Sequence, residues 1–151
     1  MGGSQIRVLV VDDYEPWRRF VRQTLLAHEE LQVVGELGDG SIAIQTAEEL
    51  QPDLVLLDIG LPTLNGIEAA LSIREVSPTA KILFVSENRS PEITQAALGT
   101  GARGYVVKSQ AASELLPAVR AVLEGKRFTS TSLAGQFLVA APSATTTQAI
   151  S

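Results

Sequence analysis

The chain has no cysteine, which removes disulfide scaffolds, thiolate metal sites and cysteine nucleophiles together. Its solitary histidine, His28, cannot build an imidazole cluster, so any metal held here has to be oxygen-liganded. Aromatic residues make up only 5% of the sequence, which leaves aliphatic side chains to supply the core. No apolar run approaches the roughly 20 residues of a membrane-spanning helix, and the N-terminus lacks the basic-then-apolar order of a signal peptide. The expectation is a cytoplasmic chain without membrane contact. Positive charge is also short: 12 Lys and Arg stand against 17 Asp and Glu, a formal net charge of -5. Without clustered cations to neutralise phosphates, no DNA contact by this chain alone is expected.

What is present suffices for one globular domain, with 45% hydrophobic residues in 151. Short runs rich in Val, Ile and Leu recur at 6–11, 32–37, 54–57, 81–85 and 104–107. Stretches such as Val8-Leu9-Val10-Val11 and Leu54-Val55-Leu56-Leu57 are apolar at nearly every position, as in strands buried on both faces of a parallel sheet. Between the first two runs, Trp17, Phe20, Val21, Thr24 and Leu25 form one stripe of an amphipathic helix. Leu115, Ala118, Val119, Val122 and Leu123 repeat that spacing near the end. Segments around 43–50, 67–76 and 91–98 complete five strand-helix pairs, a doubly wound α/β pattern. Pro117 conflicts with the last helix unless it sits in the first turn, with Ser113 as cap. The folded unit is expected to span 5–125. Residues 126–151 read as a tail or linker, partly disordered and rich in Ala, Ser and Thr towards its end. Gly2-Gly3-Ser4 is either a native start or a cloning remnant.

In an open α/β sheet, ligands bind beyond the carboxyl ends of the strands, where the winding reverses. Asp12 and Asp13 close the first strand and Asp58 the third, so three carboxylates converge if those strands are neighbours. They would repel one another without a counter-charge, and Mg²⁺ suits such an oxygen set. Ser86 and Lys108 close the fourth and fifth strands. A hydroxyl and an ammonium on that rim supply what a transferring phosphoryl group needs on its peripheral oxygens.

The order Asp12-Asp13, then Asp58-Ile59-Gly60-Leu61-Pro62-Thr63-Leu64-Asn65-Gly66, then Ser86, Tyr105 and Lys108 resembles the response-regulator receiver domains of two-component signalling. The resemblance covers about residues 6–125. Stretches 104–109 and 111–119 most resemble receivers of LuxR-type (NarL/FixJ-like) transcription regulators. The resemblance implies a flavodoxin-like five-stranded parallel sheet, a (βα)5 fold of strand order 2-1-3-4-5. It makes Asp58 the phosphoacceptor for a sensor histidine kinase or phosphotransfer protein. Mg²⁺ would be held by Asp13, Asp58 and the Gly60 backbone carbonyl, with Asp12 assisting through water. Ser86 and Lys108 would serve the phosphoryl group, and Tyr105 would swing inward with Ser86 on switching. Such a domain is not itself an enzyme, beyond slow self-dephosphorylation. It would signal through its fourth helix, fifth strand and fifth helix, around residues 91–124, to a partner or to a second copy of itself.

Two positions depart from the family pattern. Glu87 stands where a small residue is usual, so its carboxylate either crowds an incoming phosphoryl group or points to solvent. Ser109 replaces a frequent proline after Lys108, which removes the usual reason for a cis peptide. Trp17 reads as a packing residue that could report on the site, and His28 as a surface residue. A haloacid-dehalogenase-type phosphatase would need Asp-x-Asp, and the sequence has Asp12-Asp13-Tyr14. A flavodoxin-like FMN binder would suffer repulsion between its phosphate and two carboxylates. A receiver that no longer switches, an interaction module with an idle Asp58, is the alternative the sequence leaves open.

Overall fold

The computed structural model describes residues 5–133. Strands β1 (Ile6–Val11), β2 (Leu31–Leu37), β3 (Leu54–Leu57), β4 (Lys81–Ser86) and β5 (Gly104–Val107) alternate with five helices. These are α1 (Glu15–Leu26), α2 (Gly40–Leu50), α3 (Gly66–Val76), α4 (Pro91–Gly99) and α5 (Ala111–Leu123). All neighbouring strands run parallel. Side chains alternate across the sheet, so β1 sends Leu9 and Val11 to one layer and Val8 and Val10 to the other. The first layer packs on α2, α3 and α4 through Ala43, Ala47, Ile73 and Ala97. The second packs on α1 and α5 through Val21, Leu25, Leu115, Val119 and Val122. Burial on both faces accounts for strands that read as unbroken aliphatic runs.

A sixth strand, β6 (Phe128–Thr129), extends the order to β2-β1-β3-β4-β5-β6, where five strands were expected. It pairs with β5, Gly104 opposite Phe128 and Tyr105 opposite Thr129. Gly104 permits the approach, since a Cβ there would lie 2.6 Å from the Phe128 carbonyl oxygen. The hydroxyl of Ser130 accepts from the Val107 backbone N–H at 2.8 Å and donates to Glu114 Oε1 at 2.5 Å. Glu114 also accepts from the backbone and hydroxyl of Thr131. Leu133, in a 3-10 turn after β6, is fully buried against the first layer. Ordered structure therefore runs past residue 125, and residues 126–133 are not a free tail. The remainder of the expected tail, residues 134–151, lies outside the described residues, as does Gly2-Gly3-Ser4. Because Leu133 fills a core position, Leu133→Ala should cost about 2–4 kcal/mol, read by denaturant unfolding. A cost near that of an exposed substitution would detach this segment from the cooperative unit.

The last helix begins earlier than its Pro117 suggested. It starts at Ala111, following a 3-10 turn over Lys108–Gln110, so Pro117 lies in its interior and not in its first turn. Ser113 is not the cap either: its hydroxyl donates to the Gln110 carbonyl, and Gln110 is the capping position. Pro117 and Ser113 both face solvent, so the carbonyl that loses its helical partner to proline lies on the hydrated side. Among the described residues no peptide bond is cis, and no helix is long and apolar enough to cross a membrane.

Candidate functional site

Asp12, Asp58, Ser86 and Lys108 sit where β1, β3, β4 and β5 end, at the same edge of the sheet. The Asp12 N–H continues the ladder to Leu37 O at 2.9 Å, and the Asp58 N–H reaches Val11 O at 3.0 Å. The two aspartates are thereby fixed side by side before their side chains make any contact. Asp12 Oδ1 accepts from the Tyr14 backbone N–H at 2.9 Å, and its carbonyl accepts from Arg18 at 2.6 Å. Asp58 Oδ1 accepts from the Ile59 N–H at 2.7 Å. After Asp58 the chain turns back into α3, whose cap Asn65 accepts from the Glu68 N–H at 3.0 Å. Gly66 donates to Ile59 O at 2.7 Å. A Cβ on Gly66 would stand 1.9 Å from the Asp58 carbonyl oxygen, so no other residue leaves the acidic loop in place.

Carboxylate oxygens of Asp12, Asp13 and Asp58 all lie within 4.8 Å of one another. Asp12 and Asp58 are buried, whereas Asp13 is exposed. Lys108 Nζ stands between the buried pair, 2.6 Å from Asp12 Oδ2 and 3.3 Å from Asp58 Oδ2. Burial pushes Asp12 above the ordinary aspartate range and Asp58's charge adds to the rise, while the Lys108 and Tyr14 hydrogen bonds oppose it. For Lys108, burial works downward, but the bond to Asp12 and the charge of Asp58 outweigh it and hold the ammonium above its ordinary pKa. Asp12 Oδ2 is buried, and the Lys108 ammonium at 2.6 Å is the one partner the described residues give it. An oxygen with spare acceptor capacity, beside two further carboxylates, fits a hard divalent cation such as Mg²⁺.

Asp13, Asp58, Gly60, Ser86, Glu87 and Lys108 line a cavity of about 330 Å³ that also takes in Asn88. Ser86 is buried and its Oγ accepts from the Asn88 N–H at 3.1 Å. The Tyr105 hydroxyl donates to the Asn88 carbonyl at 2.7 Å, so both residues are tied to one loop residue. The ring of Tyr105 is fully buried, 6.2 Å from that of Phe84, and burial raises its phenol pKa. Tyr105 thus already points inward. Glu87 is exposed at the lip of the cavity. Asp12, Asp13, Asp58, Gly60, Ser86, Glu87 and Lys108 lie at this one edge, whereas Tyr105 lies inside β5 and meets it only through the Asn88 carbonyl.

Two contributors, Asn88 and Arg18, escaped the sequence reading, and for Trp17 only its contact with Lys108 did. Asn88 acts through its backbone, so its identity carries no trace of the role. Arg18 holds the Asp12 carbonyl from α1, where an arginine is unremarkable in sequence. Trp17 lies with its ring centroid 5.1 Å from Lys108 Nζ, a contact across the molecule that local spacing cannot reveal.

Fold and site together define a doubly wound α/β protein with an acidic, lysine-bridged pocket at the switch of its sheet. The chain belongs to the response regulator receiver domain family, whose model matches residues 8–120. It is 35% identical over 131 residues to the response regulator GacA of Pseudomonas viridiflava, covering 87% of this chain and 61% of that protein. A LuxR-family two-component response regulator from Aurantimonas sp. SI85-9A1 superposes with a TM-score of 0.85 at 33% identity, covering 91% of this chain and 98% of that one. A structure of two RcsB dimers bound to two parallel DNAs gives 0.82 at 27% identity, covering 89% and 69%. The chain spans between 52% and 61% of the length of the curated relatives it matches.

Proposed function

We propose that this receiver domain, acting in the cytoplasm, takes a phosphoryl group onto Asp58 from a phosphohistidine on a sensor histidine kinase or phosphotransfer protein. The reading rests on one observation above all: the Asp58 carboxylate lies on the wall of an open cavity with Lys108 Nζ 3.3 Å away and Ser86 on the same wall. A carboxylate oxygen of Asp58 attacks phosphorus, the P–N bond breaks as the P–O bond forms, and the departing imidazole takes up one proton from water to leave as neutral histidine. Lys108 is placed to meet the charge that builds on one peripheral oxygen, and the Ser86 hydroxyl to donate to another. Asp13, Asp58 and the Gly60 carbonyl would hold Mg²⁺, with Asp12 assisting through water. The ion, when bound, neutralises charge on the transferring oxygens.

Output would pass through Ser86 and Tyr105 to the α4-β5-α5 face. Movement of Ser86 towards a phosphoryl oxygen would pull on Asn88, and with it the hydrogen bond that fixes Tyr105. RcsB forms dimers on DNA, and a homodimer of this chain through the α4-β5-α5 face would form beside β6, which pairs with the edge of β5.

Intact mass after incubation with Mg²⁺ and acetyl phosphate tests the acceptor reading, with a histidine phosphodonor as second substrate. One added phosphoryl group, dependent on Mg²⁺, is the expected result. If neither donor yields an adduct, the domain is an interaction module with an idle Asp58, and Glu87 at the lip becomes the first suspect. Light scattering with and without beryllofluoride tests the dimer, and an unchanged mass rejects it.

A further inference from the structure

We infer that Trp17 is a positioning residue for phosphoryl transfer: its indole face steers the Lys108 ammonium, so that the cation is held ready when Asp12 and Asp58 are engaged elsewhere. The inference rests on the acceptor reading above and adds a residue to that site.

Lys108 Nζ has three attractive neighbours, Asp12 at 2.6 Å, Asp58 at 3.3 Å, and the Trp17 ring, centroid at 5.1 Å. That distance is within the range at which a ring quadrupole attracts an ammonium, and indole is the strongest of the natural rings. The Lys108 side chain is 11% exposed, so water screens the contact only in part. Trp17 is itself held in place. It sits in the first turn of α1, where its N–H bonds to the Tyr14 carbonyl, and its ring packs on Phe20 with centroids 5.0 Å apart. The same rings line a second cavity of about 510 Å³ into which Lys108 also faces. When a divalent cation takes up the carboxylates, Asp12 and Asp58 weaken as partners for the ammonium. The neutral indole is not drawn to that cation's ligand set. It remains beside Lys108 and limits the positions the long, flexible side chain can explore before it meets a phosphoryl oxygen.

The experiment is a double-mutant cycle on the rate of adduct formation at saturating Mg²⁺ and fixed acetyl phosphate, using Trp17→Leu, Trp17→Phe and Lys108→Met. Trp17→Leu should slow phosphorylation about two- to thirty-fold, and Trp17→Phe should recover part of that loss. In the Lys108→Met background the same Trp17→Leu change should cost nothing further. Equal slowing in both backgrounds, or no slowing in the first, overturns the inference and assigns Trp17 to packing alone. A second readout does not depend on the variants of Trp17 folding. Trp17 is the only tryptophan, so its emission should respond to Mg²⁺ in the parent protein and lose that response in Lys108→Met. An emission indifferent to Lys108 also overturns it. If the parent protein gains no phosphoryl group, the acceptor reading falls with the inference; if it does and the cycle shows no coupling, the inference falls alone.

Discussion

Asp58→Asn should leave the protein folded and abolish the phosphoryl adduct, with intact mass unchanged after incubation with Mg²⁺ and either donor. The amide oxygen of asparagine can replace Oδ1 as acceptor for the Ile59 N–H, at present 2.7 Å away. Its NH2 group then faces Lys108, which offers no acceptor. That lost contact is offset, because removing one of two buried negative charges relieves the repulsion that helps raise Asp12. The net change in stability should be about 1 kcal/mol or less. Chemistry has no such compensation: an amide is not a competent nucleophile, and one ligand oxygen of the cation set loses its charge. Cation affinity should fall together with reactivity, and calorimetric titration with Mg²⁺ would show it. An adduct that persists in Asp58→Asn would move the acceptor to another residue, Asp13 first, since it is the exposed carboxylate of the cluster.

The central strands were legible because each is buried on two faces, which forces a run of aliphatic residues with no polar interruption. For β1, β3 and β5 the runs and the observed strands coincide residue for residue. The sixth strand had no such signature. Phe128–Thr129 is too short to show a period, and what fixes it is distant in sequence: the bare Gly104 on β5 and the Glu114 carboxylate on α5. A lone Gly in an apolar strand is a known mark of close backbone approach, and here Gly104 was that signal. Pro117 misled for a related reason. Proline costs a helix interior both a hydrogen bond and a ring clash with the carbonyl four residues back, a cost that is eased on a hydrated face, and local sequence does not say which face of a helix is wet.

The site was legible to the extent that strand ends are. Once the strands were placed, Asp12, Asp13, Asp58, Ser86 and Lys108 followed, because the topology brings carboxyl ends to one rim. Contacts that depend on side-chain direction were not readable. Nothing in the spacing of Lys108 shows that it bridges Asp12 more tightly than Asp58, or that it lies beside Trp17. The sequence position of Tyr105 likewise gives no sign that its hydroxyl is bound to the Asn88 carbonyl. Switching from this state would have to break or carry along that bond.

Lys108→Met should slow adduct formation by roughly 10²–10³-fold, the range found when one preorganised donor to a developing charge is removed. Methionine keeps an apolar stem and a polarisable tip beside Trp17, so packing is largely retained. What disappears is the counter-charge for two buried carboxylates. Asp12 Oδ2, which has no other partner among the described residues, loses the ammonium at 2.6 Å. Without divalent cation the variant should therefore be less stable by on the order of 2 kcal/mol, a value tempered by the partial hydration of Asp58. Mg²⁺ should restore stability but not the rate, because the ion replaces the lysine as counter-charge and not as donor to the phosphoryl group. The pH dependence carries a definite sign. Burial already raises Asp12 in the folded state, and loss of Lys108 removes an influence that lowers it. Between the unfolded and folded pKa values of Asp12 the native state binds the extra proton, so acidification favours folding through this group. The stability deficit of Lys108→Met relative to the parent protein should accordingly narrow as pH falls from neutrality towards the ordinary aspartate range. A deficit that widens on acidification, measured by denaturant midpoints without Mg²⁺, would show that the lysine does not act as the counter-charge of Asp12.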